Sequence, residues 1–267
     1  MTSLLPSLIA IVLYAGVSGY QSVCLKHRQP IQRSLLLSLT AVGLVAQLIS
    51  LSLQLWSPPM LLLNFFSAGS LVTATVVLLT LLGCSRMPIE NLFVLLLPLA
   101  ALSVLLAQWA PISRTPNLVE SPGLIAHILL SIVAYGMLTM AMLQALLLSM
   151  QNQVLKQKKS PTSLIRNLPP LQTMESLLFG FLWAGWIILT ASLISGWVFL
   201  DDLLARHVAH KTLLSVLAWC VFGLLLWGRH RLGWRGHTAI RWTLAGFCLL
   251  MLAYFGSKLV REFILFS

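Results

Sequence analysis

The sequence predicts an all-α fold, a polytopic membrane bundle of about eight transmembrane helices, and three observations carry that prediction. Hydrophobic residues make up 58% of the 267 and charged residues only 9%, too few to coat a water-soluble globule. The apolar residues come in continuous runs close to the roughly 20 residues that a helix needs to cross hydrocarbon. The runs do not alternate apolar with polar positions, so the other architecture that satisfies its backbone in lipid, a closed barrel, is excluded.

The expected spans are 3–25, 34–56, 61–84, 92–110, 124–150, 175–199, 211–227 and 238–260. The first has no Lys or Arg between Met1 and Ala10 and meets positive charge only after its apolar run, so it reads as an anchor that exports its own N-terminus rather than a cleaved leader. The second carries Gln47, Ser50 and Gln54 on one face, and the third opens with Asn64 and Ser67. After the fifth comes a hydrophilic connector, about 151–173, containing Ser160, Pro161, Pro169 and Pro170, which separates five helices from three. Neither an internal repeat of 20 to 50 residues nor a transporter-like inverted repeat is visible, so 1–267 is expected to be a single membrane domain.

Orientation follows from Lys and Arg, which are retained in the cytoplasm when they flank spanning helices. Lys26, Arg28 and Arg33 follow the first span, Arg86 the third, Lys156, Lys158, Lys159 and Arg166 the fifth, and Arg229, Arg231, Arg235 and Arg241 lie around the turn between the last two. The opposite side holds only Arg114, Arg206, Lys211, Lys258 and Arg261. With an even number of spans, both the N- and C-termini are expected on the periplasmic side of a bacterial inner membrane.

The formal net charge of +11 would suggest a nucleic-acid partner in a soluble protein. Here topology accounts for it, and no basic patch is interleaved with surface aromatics, so no nucleic acid is expected and the lipid bilayer is the partner. Cys24, Cys84, Cys220 and Cys248 form neither a C-x-x-C pair nor a C-x-x-C-H haem attachment site, and read as packing residues.

Chemistry is sought where a polar group is kept in hydrocarbon despite its cost. Gly123, His127, Ser131 and Tyr135 recur every four residues and share one face of the fifth helix. His127 lies about one turn inside the outer boundary, roughly 5 Å deep, and is the one histidine within the expected hydrocarbon region. Its two readings are a hydrogen-bonded core residue and a metal or haem ligand. Tyr254, Lys258 and Arg261 form a polar and basic stripe at the outer end of the eighth helix, the cations being either ligand partners or side chains that snorkel to the interface. Gln47, Gln54, Asn64 and Ser131 read as interhelical glue. His207 and His210, expected in an outer loop, are three residues apart, a weak metal signal against a solvated loop. No Asp or Glu inside a span marks an ion path, which ranks a transporter last; Glu120, Asp201 and Asp202 are expected at the surface.

In the C-terminal third, the stretch 211–255 and the glycine that follows it contain Ala218-Trp219, Gly233-Trp234-Arg235-Gly236 and Ala253-Tyr254-Phe255-Gly256. With Ser121-Pro122-Gly123-Leu124-Ile125-Ala126-His127-Ile128, these blocks make the chain resemble the cytochrome c assembly family that includes the CcsA and HemX proteins. The resemblance covers most of the chain and implies a membrane protein that handles haem, presented outward between two histidines, with His127 matching the first. Three departures accompany it. The family's tryptophan-rich segment is reduced here to Gly196-Trp197-Val198-Phe199-Leu200-Asp201-Asp202, no histidine follows the last helix, and Trp227 stands where the family has an intramembrane histidine. The resemblance thus implies an accessory or regulatory protein rather than an enzyme, with haem as cofactor, His127 as iron ligand, Tyr254 beside it, and Lys258 or Arg261 near the propionates. The rival reading is a scaffold that controls a membrane or periplasmic protein partner without haem.

Overall fold

In the computed structural model, residues 3–27, 29–57, 60–61, 65–108, 122–156, 168–199 and 206–256 are described. They form α1 (Leu4–His27), α2 (Arg33–Leu55), α3 (Phe65–Cys84), α4 (Phe93–Gln108), α5 (Pro122–Lys156), α6 (Leu171–Phe199), α7 (Arg206–Leu232) and α8 (His237–Met251). A 3-10 turn at Glu90–Leu92 leads into α4, and α8 continues as a π-helical turn, Leu252–Gly256. The one extended pairing among the described residues is antiparallel, Trp56–Ser57 against Met60–Leu61. Among the described residues, seven helices are long and apolar enough to cross a bilayer, α1 to α7. The eighth expected span, 238–260, is followed only as far as Gly256.

Three boundaries differ from expectation. The first six residues of the connector 151–173 are helical, because Gln151 to Lys156 contains no Gly or Pro to end α5. Residues 157–167 lie outside the described residues, and α6 starts directly after Pro169 and Pro170, whose fixed φ suits a helix entry. Likewise α7 begins at Arg206 rather than 211, so the backbone of His207 and His210 belongs to a helix and not to a loop. Nothing in Leu203 to His210 breaks a helix.

Within the span expected to be one membrane domain, the described residues group into two compact units, α1–α4 and α5–α8, with α5 assigned to the second as far as Asn152. In the first unit the helices close into a ring, α1 against α2 and α4, and α3 against α2 and α4. α1 turns Ser7, Ala10, Tyr14, Val17, Gln21 and Cys24 inward at three- and four-residue spacing. Its outward face carries exposed Leu5, Leu8, Val12 and Val23. A chain in lipid gains little by burying Leu, so small and polar residues line the interior, where they pack closely and hydrogen-bond across helices.

The polar interior of this unit holds two hydrogen-bonded clusters, one around Gln47 and one around Ser7 and Ser50. Tyr14 Oη donates to Gln47 Oε1 at 2.8 Å, and Gln47 Nε2 donates to the Ser70 carbonyl at 3.0 Å and to Ser70 Oγ at 3.1 Å. Thr73 pairs with Ser103 at 2.7 Å, Ser7 with Ser50 at 2.6 Å, and Gln54 Nε2 donates to Ser50 Oγ at 2.9 Å. Gln108 Nε2 donates to Ser7. Gln47 therefore joins three helices, whereas Gln54 bonds only to Ser50 of its own helix among the described residues; Asn64 lies outside the described residues. At the other end Arg33 Nε meets Glu90 Oε1 at 2.7 Å, and the same guanidinium donates to the Cys84 carbonyl.

Candidate functional site

The four-residue recurrence on α5 becomes a contact surface in the second unit. α5 meets α6 through a hydrogen-bonded cluster: His127 Nδ1 lies 2.9 Å from the Ser192 carbonyl oxygen and 3.1 Å from Ser195 Oγ. Ser131 Oγ donates to the His127 carbonyl at 2.7 Å and pairs with Ser192 Oγ at 2.7 Å. Ser195 Oγ donates to the Ser192 carbonyl at 2.8 Å. That carbonyl can only accept, so the imidazole proton sits on Nδ1 and the Nε2 lone pair is left over. Nε2 has no hydrogen-bond partner among the described residues.

Two glycines make this approach possible. A Cβ on Gly196 would lie 2.9 Å from His127 Cε1 and 3.2 Å from Nδ1, so the imidazole rests directly on the α6 backbone. A Cβ on Gly123 would collide with the Phe199 ring. His127 is half-buried, which leaves its free edge reachable.

Two turns further along α5, about 12 Å at 1.5 Å per residue, Tyr135 Oη donates to Met251 Sδ at 2.7 Å. Its ring packs on Phe247 at 5.8 Å and on Tyr254 at 6.3 Å. Tyr254 is thus seated beside Tyr135, in the π-helical turn that follows α8, a distortion frequent near functional positions. The structure brings His127, Ser131 and Tyr135 into one stripe with α6 and α8. Lys258 and Arg261 lie outside the described residues, as do Glu120, Asp201 and Asp202. Trp227 is exposed on α7. Among the described residues no three His, Cys, Asp or Glu side chains converge in a way that would hold a metal ion.

Sequence reading missed the α6 half of the cluster. Its signal was present: Ser192, Ser195 and Gly196 are small or polar at three- and four-residue spacing, the pattern that marks an interhelical seam. A tryptophan pair joining α6 to α7 was likewise missed. Trp186 stacks on Trp219 at 5.4 Å and donates to its carbonyl at 3.1 Å, while Trp219 Nε1 donates to Thr190 Oγ1 at 2.7 Å.

Comparison with known proteins decides the kinship. Residues 30–265 match the family described as cytochrome C assembly protein. The chain belongs to that family. Among its relatives, inner membrane protein YpjD of Escherichia coli K12 is 34% identical over 206 residues, 76% of each chain. An uncharacterised 28.8 kDa protein of Azospirillum brasilense is 37% identical over 162 residues, 60% of this chain and 59% of that one. Protein HemX of Brevibacillus brevis is 27% identical over 149 residues, 55% and 54% respectively. No solved structure matches. With its apolar helices and this kinship, the family member described here is a multi-pass inner-membrane protein in contact with the lipid bilayer.

Proposed function

We propose that this chain handles haem at the periplasmic side of the inner membrane as an accessory or regulatory protein without enzymatic activity, with His127 as an axial ligand. The observation that carries the reading is the 2.9 Å contact of His127 Nδ1 with the Ser192 carbonyl oxygen. An imidazole whose Nδ1–H is held by a main-chain carbonyl is oriented and left with Nε2 free, which is the arrangement of metal-binding histidines. The residues present fit a single iron ligand, His127, among the described residues.

In this reading α5 and α6 orient the imidazole, Ser192 and Ser195 hold its proton on Nδ1, and the half-buried setting excludes part of the water. Tyr254 borders the stripe through Tyr135, and Lys258 or Arg261 would neutralise haem carboxylates by charge-assisted hydrogen bonds. Haem, when bound, supplies a coloured, redox-active iron whose properties depend on its axial ligand. The expected even number of spans and the clustering of Lys and Arg support periplasmic termini and, with them, a periplasmic-side His127.

The test is spectroscopic. Protein purified in detergent from haem-replete cells is expected to carry a Soret band, and His127→Ala is expected to remove or shift it while the helices stay folded. An unchanged spectrum in His127→Ala sinks the ligand assignment. Wild-type protein that never carries haem favours a scaffold for a membrane or periplasmic partner, in which the His127–Ser192 cluster serves only to join two helices.

A further inference from the structure

At the other end of the second unit, the turn between α7 and α8 is fastened from α6. Glu175, in the second turn of α6, lies about 25 Å along the helix axis from Ser192 at 1.5 Å per residue. That approaches the roughly 30 Å of a hydrocarbon core, so the turn emerges at the membrane face opposite His127. Gly233 and Gly236 take φ of 67° and 54°, the left-handed region where a side chain is strained, and bracket Trp234 and Arg235.

The Gly236 N–H donates to Glu175 Oε1 at 2.6 Å, and Arg235 Nε lies 3.8 Å from Glu175 Oε2. Trp234 N–H donates to the Gly228 carbonyl at 3.2 Å, and Arg229 Nη1 donates to the Trp234 carbonyl at 3.3 Å with its guanidinium 4.6 Å over the Phe179 ring. Trp234 stacks on Trp242 at 5.5 Å. These contacts occupy Arg229 and Arg235. They leave Arg231 and Arg241 exposed and without a partner among the described residues, and the indole N–H groups of Trp234 and Trp242 have no acceptor there either. Exposed Trp227 lies one turn before Arg231 on the same face of α7.

From this arrangement we infer a binding site for the phosphate headgroup of an anionic phospholipid, held by Arg231, Arg241 and the two indole N–H groups. Guanidinium forks match phosphate oxygens, and stacked tryptophans sit at headgroup depth. Trp227, on the face of Arg231 within the apolar span of α7, borders acyl chains, which selects a lipid over a free anion or a water-soluble acidic partner. The site is independent of haem, and it assigns a role to the Gly233-Trp234-Arg235-Gly236 motif as the rigid frame that presents the donors.

The experiment uses the full chain in detergent, titrated with phosphatidylglycerol, phosphatidylcholine or inorganic phosphate and read by native mass spectrometry. Phosphatidylglycerol is expected to be retained over phosphatidylcholine. Arg231→Gln with Arg241→Gln weakens that retention about 25-fold, from about five-fold per surface cation. The corresponding double Lys variant keeps the charge but not the fork and loses less retention than the double Gln variant, and Arg86→Gln, an exposed cation in the first unit, leaves it unchanged. Equal binding of both lipids, an unchanged double Gln variant, equal loss in the Gln and Lys variants, or displacement of the lipid by millimolar phosphate would each overturn the assignment.

Discussion

The Ser192 carbonyl oxygen accepts from His127 Nδ1 at 2.9 Å and from Ser195 Oγ at 2.8 Å, so a main-chain atom of α6 fixes the tautomer of a side chain on α5. No side-chain substitution at residue 192 removes that acceptor. The position of the imidazole therefore depends on how closely the two helices approach, which Gly196 decides.

Gly196→Ala is expected to displace the imidazole, because the new methyl would stand 2.9 Å from Cε1. If His127 ligates haem, affinity falls about 10- to 100-fold, the usual cost of disturbing a ligand's supporting contacts. Ser195→Ala retains the carbonyl acceptor and loses less. Nitrogen chemical shifts of His127 check the idea without haem: Nδ1 protonated in wild type and Ser195→Ala, altered in Gly196→Ala. A wild-type spectrum with the proton on Nε2 would sink it.

Gln47 is fully buried and bridges α1, α2 and α3 through Tyr14, Ser70 and Thr73. Gln47→Leu is expected to destabilise the first unit by about 1 to 2 kcal/mol, since hydrogen bonds between membrane helices average about 0.6 kcal/mol each. Tyr14→Phe combined with Gln47→Leu should cost less than the sum of the single changes, because no hydroxyl is then left unpaired. Thermal unfolding in detergent measures this, and strict additivity would contradict the network.

Glu175 separates two contributions at the α7–α8 turn. Glu175→Gln keeps an oxygen for the Gly236 N–H and loses only the ion pair to a largely exposed Arg235, a change of less than about 1 kcal/mol. Glu175→Ala removes the hydrogen bond that ties Gly236 to α6 and is expected to cost about 1 to 2 kcal/mol more. Equal melting temperatures for the two variants would show that the tie to α6 contributes nothing.

Topology is checked with fusions. A reporter that works only outside the cytoplasm is expected to be active after Ser267, and one inserted near Lys158 only when it requires the cytoplasm. The reverse pattern would move His127 to the cytoplasmic face and remove the outward-facing reading of the site.

The membrane architecture was legible in the sequence because it depends on summed quantities. Twenty apolar residues cross hydrocarbon whichever neighbours they meet, and the described helices fall within a few residues of the expected spans except where α5 and α7 continue through residues such as Gln151 and His207 that permit a helix. The face on α5 was equally visible, since a four-residue recurrence is a property of one helix. What Nδ1 of His127 meets was not legible: Ser192 is 65 positions away, and the seam of Ser192, Ser195 and Gly196 looks in sequence like any small-residue stripe. The same holds for Gly236 and Glu175, 61 positions apart. Local hydropathy determined where the chain enters lipid, whereas helix pairing alone decided which nitrogen of His127 stays free, because a hydrogen bond between helices depends on their rotation and approach rather than on the composition of either.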